Sequence, residues 1–87
     1  MISQKITIQN QSGLHARPAA ILAQAAGKCD SDVRILYGNK NIQAKSILNI
    51  MSAAIKCGTE VEIQCDGATE EEDMKTIISL IESGLGE

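Results

Sequence analysis

The chain of 87 residues contains no tryptophan, no phenylalanine and only one tyrosine. Its core must therefore be built from aliphatic side chains, and it has no cluster of aromatic residues on which nucleic-acid bases could stack. The net charge is −3 and the chain has no run of basic residues, so it lacks the cluster of positive side chains that would neutralise a phosphate backbone. These absences exclude nucleic acid as an expected partner.

Long apolar segments are missing as well. No stretch approaches the roughly 18 consecutive apolar residues of a membrane-spanning helix. The opening segment MISQKITIQN also lacks the apolar stretch of a secretory signal. The sequence therefore predicts a cytoplasmic protein without membrane insertion.

Groups that could hold metals or form disulfides are scarce. The three cysteines, Cys29, Cys57 and Cys65, are odd in number and far apart, and the chain has a single histidine. Neither a disulfide framework nor a zinc site is expected, and the cysteines are predicted to be free thiols of a reducing compartment. The acidic residues at 70–73 fit the solvated first turn of a helix better than a metal site. We expect no metal and no bound cofactor.

Length and composition predict one compact domain over residues 1–87, because 44% of the residues are hydrophobic and 22% are charged. Alternating apolar residues predict four strands, near residues 2–8, 33–37, 42–44 and 61–65. Helical spacing between them gives the order strand, helix, strand, strand, helix, strand, helix. This order predicts an α+β fold, a two-layer open-faced sandwich (βαββαβα) with a four-stranded antiparallel sheet covered on one face by three helices.

End signals place the helices. The first is predicted from Ala16 to about Ala26, with Gly27 as its C-terminal stop. The second begins after Ser46 as N-cap and extends to Gly58. Thr69 and Glu72 fit a capping box at the start of the third helix. The buried stripe of the third helix is predicted to be Met74, Ile77, Ile78, Ile81 and Leu85.

The only histidine and the only proline lie close together in the segment QSGLHARPAA, residues 11–20. Pro18 is expected in the first turn of a helix, where its missing N–H costs no hydrogen bond. Ala16 and Arg17 are not capping residues, so the first N–H groups stay available to an anion. Together with the Arg17 guanidinium they suit a phosphoryl group, for which His15 supplies a nucleophile. A plain helix start is the alternative, and these residues alone do not decide between the two.

The predicted second helix has an unusually wide apolar face. At 100° per residue its apolar side chains cover an arc of roughly 160°, more than the burial of a short helix needs. They are Ile47, Leu48, Ile50, Met51, Ala54 and Ile55. Part of this arc is expected to remain exposed as an apolar docking patch, with Leu48 and Met51 at its rim. Complete burial beneath the flanking loops is the alternative.

The segment GLHARPAA, residues 13–20, resembles the phosphohistidine signature of the HPr family. These are the histidine-containing phosphocarrier proteins of the bacterial phosphoenolpyruvate-dependent sugar phosphotransferase system. Length and element order are similar too, so the resemblance covers essentially the whole chain. It implies that His15 accepts a phosphoryl group at Nδ1 from phosphorylated enzyme I and passes it to a sugar-specific enzyme IIA, assisted by Arg17. It also implies a monomeric carrier without turnover of its own, with partners docking on Ala20, Ile47, Leu48 and Met51.

The segment AKSIL, residues 44–48, resembles the regulatory serine signature of HPr proteins from Firmicutes-type bacteria. This implies that an ATP-dependent HPr kinase/phosphorylase phosphorylates Ser46. In the family, that modification weakens transfer from enzyme I and promotes binding to the catabolite control protein A. A phosphate adds about −1.5 to −2 charges where the helix dipole tolerates them, so the effect is expected on partners rather than on folding. Asn49, where many relatives have glycine, departs from the family pattern.

Two other functions are compatible with parts of the sequence. A small hydrolase similar to the acylphosphatases would bind phosphate through Arg17 and either Asn41 or Asn49, but it gives no role to His15. A purely regulatory binding module would act through Ser46 and the apolar patch. Related regulatory proteins lack a histidine at the position of His15.

Overall fold

Seven elements follow one another in the order predicted from the sequence. The computed structural model describes residues 1–86. Its strands and helices are β1 (Ile2–Thr7), α1 (Ala16–Lys28), β2 (Asp32–Tyr37), β3 (Lys40–Gln43), α2 (Ile47–Ser52), β4 (Glu60–Asp66) and α3 (Glu70–Glu82). The α+β fold class, the βαββαβα order and the four-stranded antiparallel sheet covered by three helices are confirmed.

The four strands form one sheet in the spatial order β1-β4-β2-β3, and every neighbouring pair is antiparallel. In the register, Ile35 of β2 lies opposite Ile63 of β4 on one side and Ile42 of β3 on the other. All three side chains are buried, since residues directly opposite in a sheet point to the same face. Helices α1 and α3 pack against each other, α3 also contacts β4 and β1, and α2 contacts α1 and β3.

The core between sheet and helices is aliphatic, as the composition predicted. Its largest fully buried side chains include Leu22, Ile35, Ile50, Ile63 and Ile77. Each such side chain contributes about 1.5–3 kcal/mol relative to leaving it in water. Four residues of the predicted stripe, Met74, Ile77, Ile78 and Ile81, are buried on α3. The fifth, Leu85, is also buried, but it lies beyond the end of α3 at Glu82 and has a left-handed φ of 52°, so its place on the helix was predicted wrongly.

The three cysteines are free thiols. Cys29 and Cys65 are buried, and burial raises the pKa of Cys29 and raises that of Cys65 to about 11. Cys57 is exposed. Residues 1–86 contain no group of histidine, cysteine and acidic side chains that could hold a metal ion. Over the same residues, no helix has the length and apolar character needed to cross a bilayer.

Two helix ends differ from the prediction. Helix α1 continues through Gly27 to Lys28, and Cys29 then leaves it in an extended conformation while its N–H donates to the Ala26 carbonyl at 3.1 Å. Helix α2 ends at Ser52 instead of extending to Gly58, and Ala54 has a left-handed φ of 53°. The early end has a tertiary cause, because the buried Ile55 turns away and accepts a hydrogen bond from another loop.

The predicted capping box at the start of α3 is wrong. Thr69 is the N-cap, but its side chain accepts no capping hydrogen bond, and its hydroxyl donates to Oδ2 of Asp73 at 2.8 Å. The same carboxylate oxygen accepts the backbone N–H of Ser31 at 3.0 Å. Asp73 therefore ties the first turn of α3 to the loop that follows α1. Donors from Ser31, and then from Thr69, lower the pKa of Asp73 below its usual 3.8.

This lowered pKa predicts a pH-dependent contribution of Asp73 to stability. Because the folded-state pKa is below the unfolded value, the contribution is complete above about pH 4 and is lost as the pH falls through the folded-state value. At pH 7, Asp73→Asn should lower the free energy of unfolding by about 1 kcal/mol, because the hydrogen bonds lose their charge assistance. Urea unfolding between pH 7 and about pH 2.5 should show the difference from wild type shrinking towards zero. A difference that stayed constant with pH would contradict this role, and Asp30→Asn, at an exposed neighbour, is the control.

Candidate functional site

His15 lies at the N-cap of α1. Its backbone is extended, with φ −97° and ψ −162°, and its exposed side chain makes no capping hydrogen bond. The helix proper begins at Ala16, and Pro18 is buried in the first turn. The first backbone bond of the helix runs from the Ala19 N–H to the His15 carbonyl at 2.8 Å. The boundary predicted from Pro18 is confirmed, and it leaves the imidazole free on the surface.

The start of α1 presents unpaired donors beside this imidazole. Within residues 1–86, no group accepts a hydrogen bond from the N–H of Ala16 or Arg17, and the first turn contains no acidic residue. The exposed Arg17 guanidinium forms no salt bridge within the same residues. A helix of 13 residues adds the positive end of its dipole at this point. Imidazole, free N–H groups and guanidinium together can hold a dianionic group.

The loop before His15 is fixed by a close backbone contact that the sequence reasoning missed. Gly13 has a left-handed φ of 64°, and a Cβ at this residue would collide with the Ile55 carbonyl oxygen and lie 2.8 Å from Cα of Lys56. Leu14 is buried, and its N–H donates to the same Ile55 carbonyl at 2.9 Å. A glycine directly before a buried residue was the available signal, but its partner lies in a distant part of the chain.

Ser46 is the N-cap of α2, as predicted. Its half-buried hydroxyl oxygen accepts the N–H of Asn49 at 3.2 Å, and its carbonyl accepts the N–H of Ile50 at 3.1 Å. The side chain of Asn49 is exposed. These contacts explain Ser46 as a helix cap. Its role as a phosphorylation site stays a prediction.

The expected apolar patch is present on α2. Leu48 is 74% exposed and Ile47 is 42% exposed, and within residues 1–86 only Met1 is another large apolar side chain with comparable exposure. Met51 is half-buried against the core, so the exposed part of the arc is narrower than predicted. Ala20 is half-buried on α1, which packs against α2. Complete burial of the apolar arc is thereby excluded.

The phosphate-binding residues of the acylphosphatase alternative do not come together. Asn41 and Asn49 both line a shallow depression of about 360 Å³ between β3 and α2. Arg17 is not among its lining residues and lies at the start of α1. The structure therefore gives that alternative an incomplete site.

The contact of Gly13 generates a stability prediction. Gly13→Ala should lower the free energy of unfolding by about 2–4 kcal/mol, because left-handed backbone disfavours alanine and the new methyl group collides with backbone atoms. Gly38→Ala is a matched control, since Gly38 has a similar φ of 58° but nothing within 4 Å of its added Cβ. The control should lose only about 1 kcal/mol. Thermal or urea unfolding measures both variants, and equal losses would show that the contact with residues 55–57 is unimportant.

Comparison with known proteins places the chain in a family. A family model described as the PTS HPr component phosphorylation site matches residues 2–83. The chain is 44% identical over 70 residues to the phosphocarrier protein HPr of Mycoplasma capricolum, covering 80% of this chain and 79% of that protein. It is 37% identical over 82 residues to the HPr-like protein Crh of Bacillus subtilis, covering 94% and 96%.

A solved relative supports the same assignment. The HPr of Thermoanaerobacter tengcongensis is 44% identical, and one of its crystal structures superposes with a TM-score of 0.95 over 100% of this chain and 98% of that chain. Another of its crystal structures, described as an HPr dimer, gives a TM-score of 0.79 over 100% of both chains. A family match along most of the chain, joined to this fold, shows that the chain belongs to the HPr family, the phosphocarrier proteins of the phosphotransferase system.

Proposed function

We propose that His15 is the residue on which this phosphocarrier holds its phosphoryl group. In this proposal it accepts the group at Nδ1 from phosphorylated enzyme I and passes it to a sugar-specific enzyme IIA. The observation that carries the proposal is the exposed imidazole of His15 at the start of α1, which makes no capping hydrogen bond and lies two residues before Arg17, whose guanidinium forms no salt bridge within residues 1–86.

The chemistry of the proposal is a pair of in-line displacements. The Nδ1 lone pair attacks phosphorus, and the bond from phosphorus to the donor protein breaks with its electrons leaving on the donor. The charge of the phosphoryl group then faces the N–H groups of Ala16 and Arg17 and the Arg17 guanidinium. Because His15 is exposed, the phosphorus stays open to attack by the next acceptor. The protein is a carrier and not a catalytic enzyme in the usual sense, since one partner loads it and another unloads it.

The exposed end of the apolar arc is the proposed docking surface for these partners. Leu48 and Ile47 provide its exposed apolar area, with Met51 and Ala20 as half-buried members. Apolar side chains that remain in water at the surface of a small domain commonly mark contact sites for other proteins. The monomer expected from the sequence stays a prediction beside the dimer described for the Thermoanaerobacter relative.

Ser46 is the proposed regulatory site. Its half-buried hydroxyl caps α2 directly before Ile47 and Leu48, so a phosphate there would put about −1.5 to −2 charges at the edge of the docking surface. In this proposal an ATP-dependent HPr kinase/phosphorylase adds the phosphate. The protein phosphorylated at Ser46 accepts a phosphoryl group from enzyme I less well. It also binds the catabolite control protein A.

Labelling with radioactive phosphoenolpyruvate, magnesium and enzyme I tests the carrier proposal. The wild type should take up one label that is stable to base and labile to acid, as expected for phosphohistidine, and His15→Ala should take up none. If the wild type takes up no label but hydrolyses acyl phosphates, the acylphosphatase alternative is correct. If it shows neither activity, the protein is a regulatory module like the HPr-like relatives.

The contribution of Arg17 is measured in the same assay. Arg17→Ala should lower kcat/KM for uptake of the label by about 10²-fold, because a charge-assisted hydrogen bond to the transferred group is lost. Lys28→Ala removes a positive charge at the opposite end of α1 and should leave the rate within about twofold. Equal effects of both variants would mean that only the overall charge matters.

The regulatory proposal is tested with ATP and the kinase/phosphorylase of a Firmicutes-type bacterium. Wild type should acquire an acid-stable phosphate, Ser46→Ala should acquire none, and Ser52→Ala, at an exposed serine of the same helix, should behave like wild type. Because Ser46→Ala also loses a helix cap worth about 1 kcal/mol, the assay temperature must leave all three proteins folded. Phosphate on Ser46→Ala would disprove the assignment.

A further inference from the structure

The peptide unit between Gly13 and Leu14 is held at both of its polar ends. Its carbonyl oxygen, on Gly13, accepts a hydrogen bond from Nδ2 of Asn10 at 2.6 Å. Its N–H, on Leu14, donates to the carbonyl of Ile55 at 2.9 Å. A peptide plane bonded at both poles cannot rotate without losing one of these hydrogen bonds. Ile55 bonds to this peptide through its backbone carbonyl, whereas Asn10 bonds to it through its side-chain amide.

Asn10 is well placed to hold its end of this peptide. It is only 5% exposed, and its own carbonyl accepts the N–H of Gly13 at 3.0 Å, so residues 10 and 13 are joined both through backbone and through side chain. A buried side-chain amide that lost its acceptor would incur a desolvation cost of about 1–3 kcal/mol. Its neighbour Gln11, by contrast, is exposed.

The clamped peptide lies immediately before the phosphoryl-accepting residue. One residue further along the chain, His15 begins α1, where its carbonyl is fixed by the Ala19 N–H at 2.8 Å. The His15 side chain makes no capping hydrogen bond, so its position follows from the backbone on either side. The backbone of His15 is fixed on its C-terminal side by α1 and on its N-terminal side by the Gly13–Leu14 peptide.

We infer that Asn10 is a positioning residue for phosphoryl transfer: its hydrogen bond to the Gly13 carbonyl sets the backbone from which the His15 imidazole reaches the phosphorus. This role rests on the phosphoryl transfer proposed for His15. Displacement by about 1 Å can lower the rate of an oriented reaction by 10²-fold, so a single hydrogen bond in the supporting loop has a measurable effect. Partner docking uses the surface of α1 and α2 and should be unaffected.

The test compares Asn10→Ala and Asn10→Asp with the matched control Gln11→Ala. Asn10→Asp keeps the size of the side chain but presents no N–H to the Gly13 carbonyl at neutral pH. Phosphoryl uptake is measured with enzyme I and phosphoenolpyruvate, and the concentration of each variant is varied as the substrate of enzyme I. The temperature is one at which circular dichroism shows that every variant is folded. Both Asn10 variants should lower kcat by about tenfold with KM within about twofold of wild type, and Gln11→Ala should change neither. In ¹H–¹⁵N spectra, the amides of residues 14–17 should shift in the Asn10 variants alone.

Several outcomes would overturn the inference. An unchanged kcat in the folded Asn10 variants, or a raised KM with kcat preserved, would show that Asn10 supports the fold or docking instead. A wild type that takes up no phosphoryl group would refute the proposed function, and the positioning role of Asn10 would fall with it. Uptake by wild type with unaltered kcat in the variants would refute the positioning role alone.

Discussion

The hydrogen bond between the Leu14 N–H and the Ile55 carbonyl connects the surroundings of His15 to those of α2, the helix that carries the exposed apolar patch. It joins the loop before α1 to the segment after α2, and Gly13 allows the approach because it has no Cβ to meet that carbonyl. The bonded carbonyl belongs to the buried Ile55, three residues after α2 ends at Ser52. The bonded N–H belongs to Leu14, directly before the exposed His15 at the N-cap of α1.

A phosphoryl carrier has two requirements that oppose each other. Its acceptor atom must be open to two different proteins in turn, yet it must be held still enough to react with each. With His15 as the proposed acceptor, both requirements are met: its exposed side chain makes no capping hydrogen bond, and its backbone is held by the helix downstream and by the clamped peptide upstream. The site therefore needs no pocket. An open groove of about 770 Å³ between α1 and α3 has neither His15 nor Arg17 in its wall.

The parts of the molecule that were predictable from the sequence depend on local rules. Period-two alternation located all four strands, and Pro18 located the start of α1. Two of the failures, the end of α2 and the capping of α3, involve contacts between residues far apart in the chain. Nothing near Ser52 signals the end of α2, because the reason for it is the loop around Leu14. Likewise, the Thr69 hydroxyl donates to the Asp73 carboxylate and accepts no capping hydrogen bond. The same carboxylate also accepts the backbone N–H of Ser31, 42 residues away in the chain.

The exposed thiol of Cys57 makes the natural protein convenient for spectroscopy. The other two cysteines are buried and their pKa values are raised, so a maleimide at neutral pH should react at Cys57 first. This residue belongs to the segment that lies against Gly13, directly beneath the loop of His15. A fluorophore or spin label could thus be attached beside the site without mutagenesis, and it would report the arrival of a partner protein in real time.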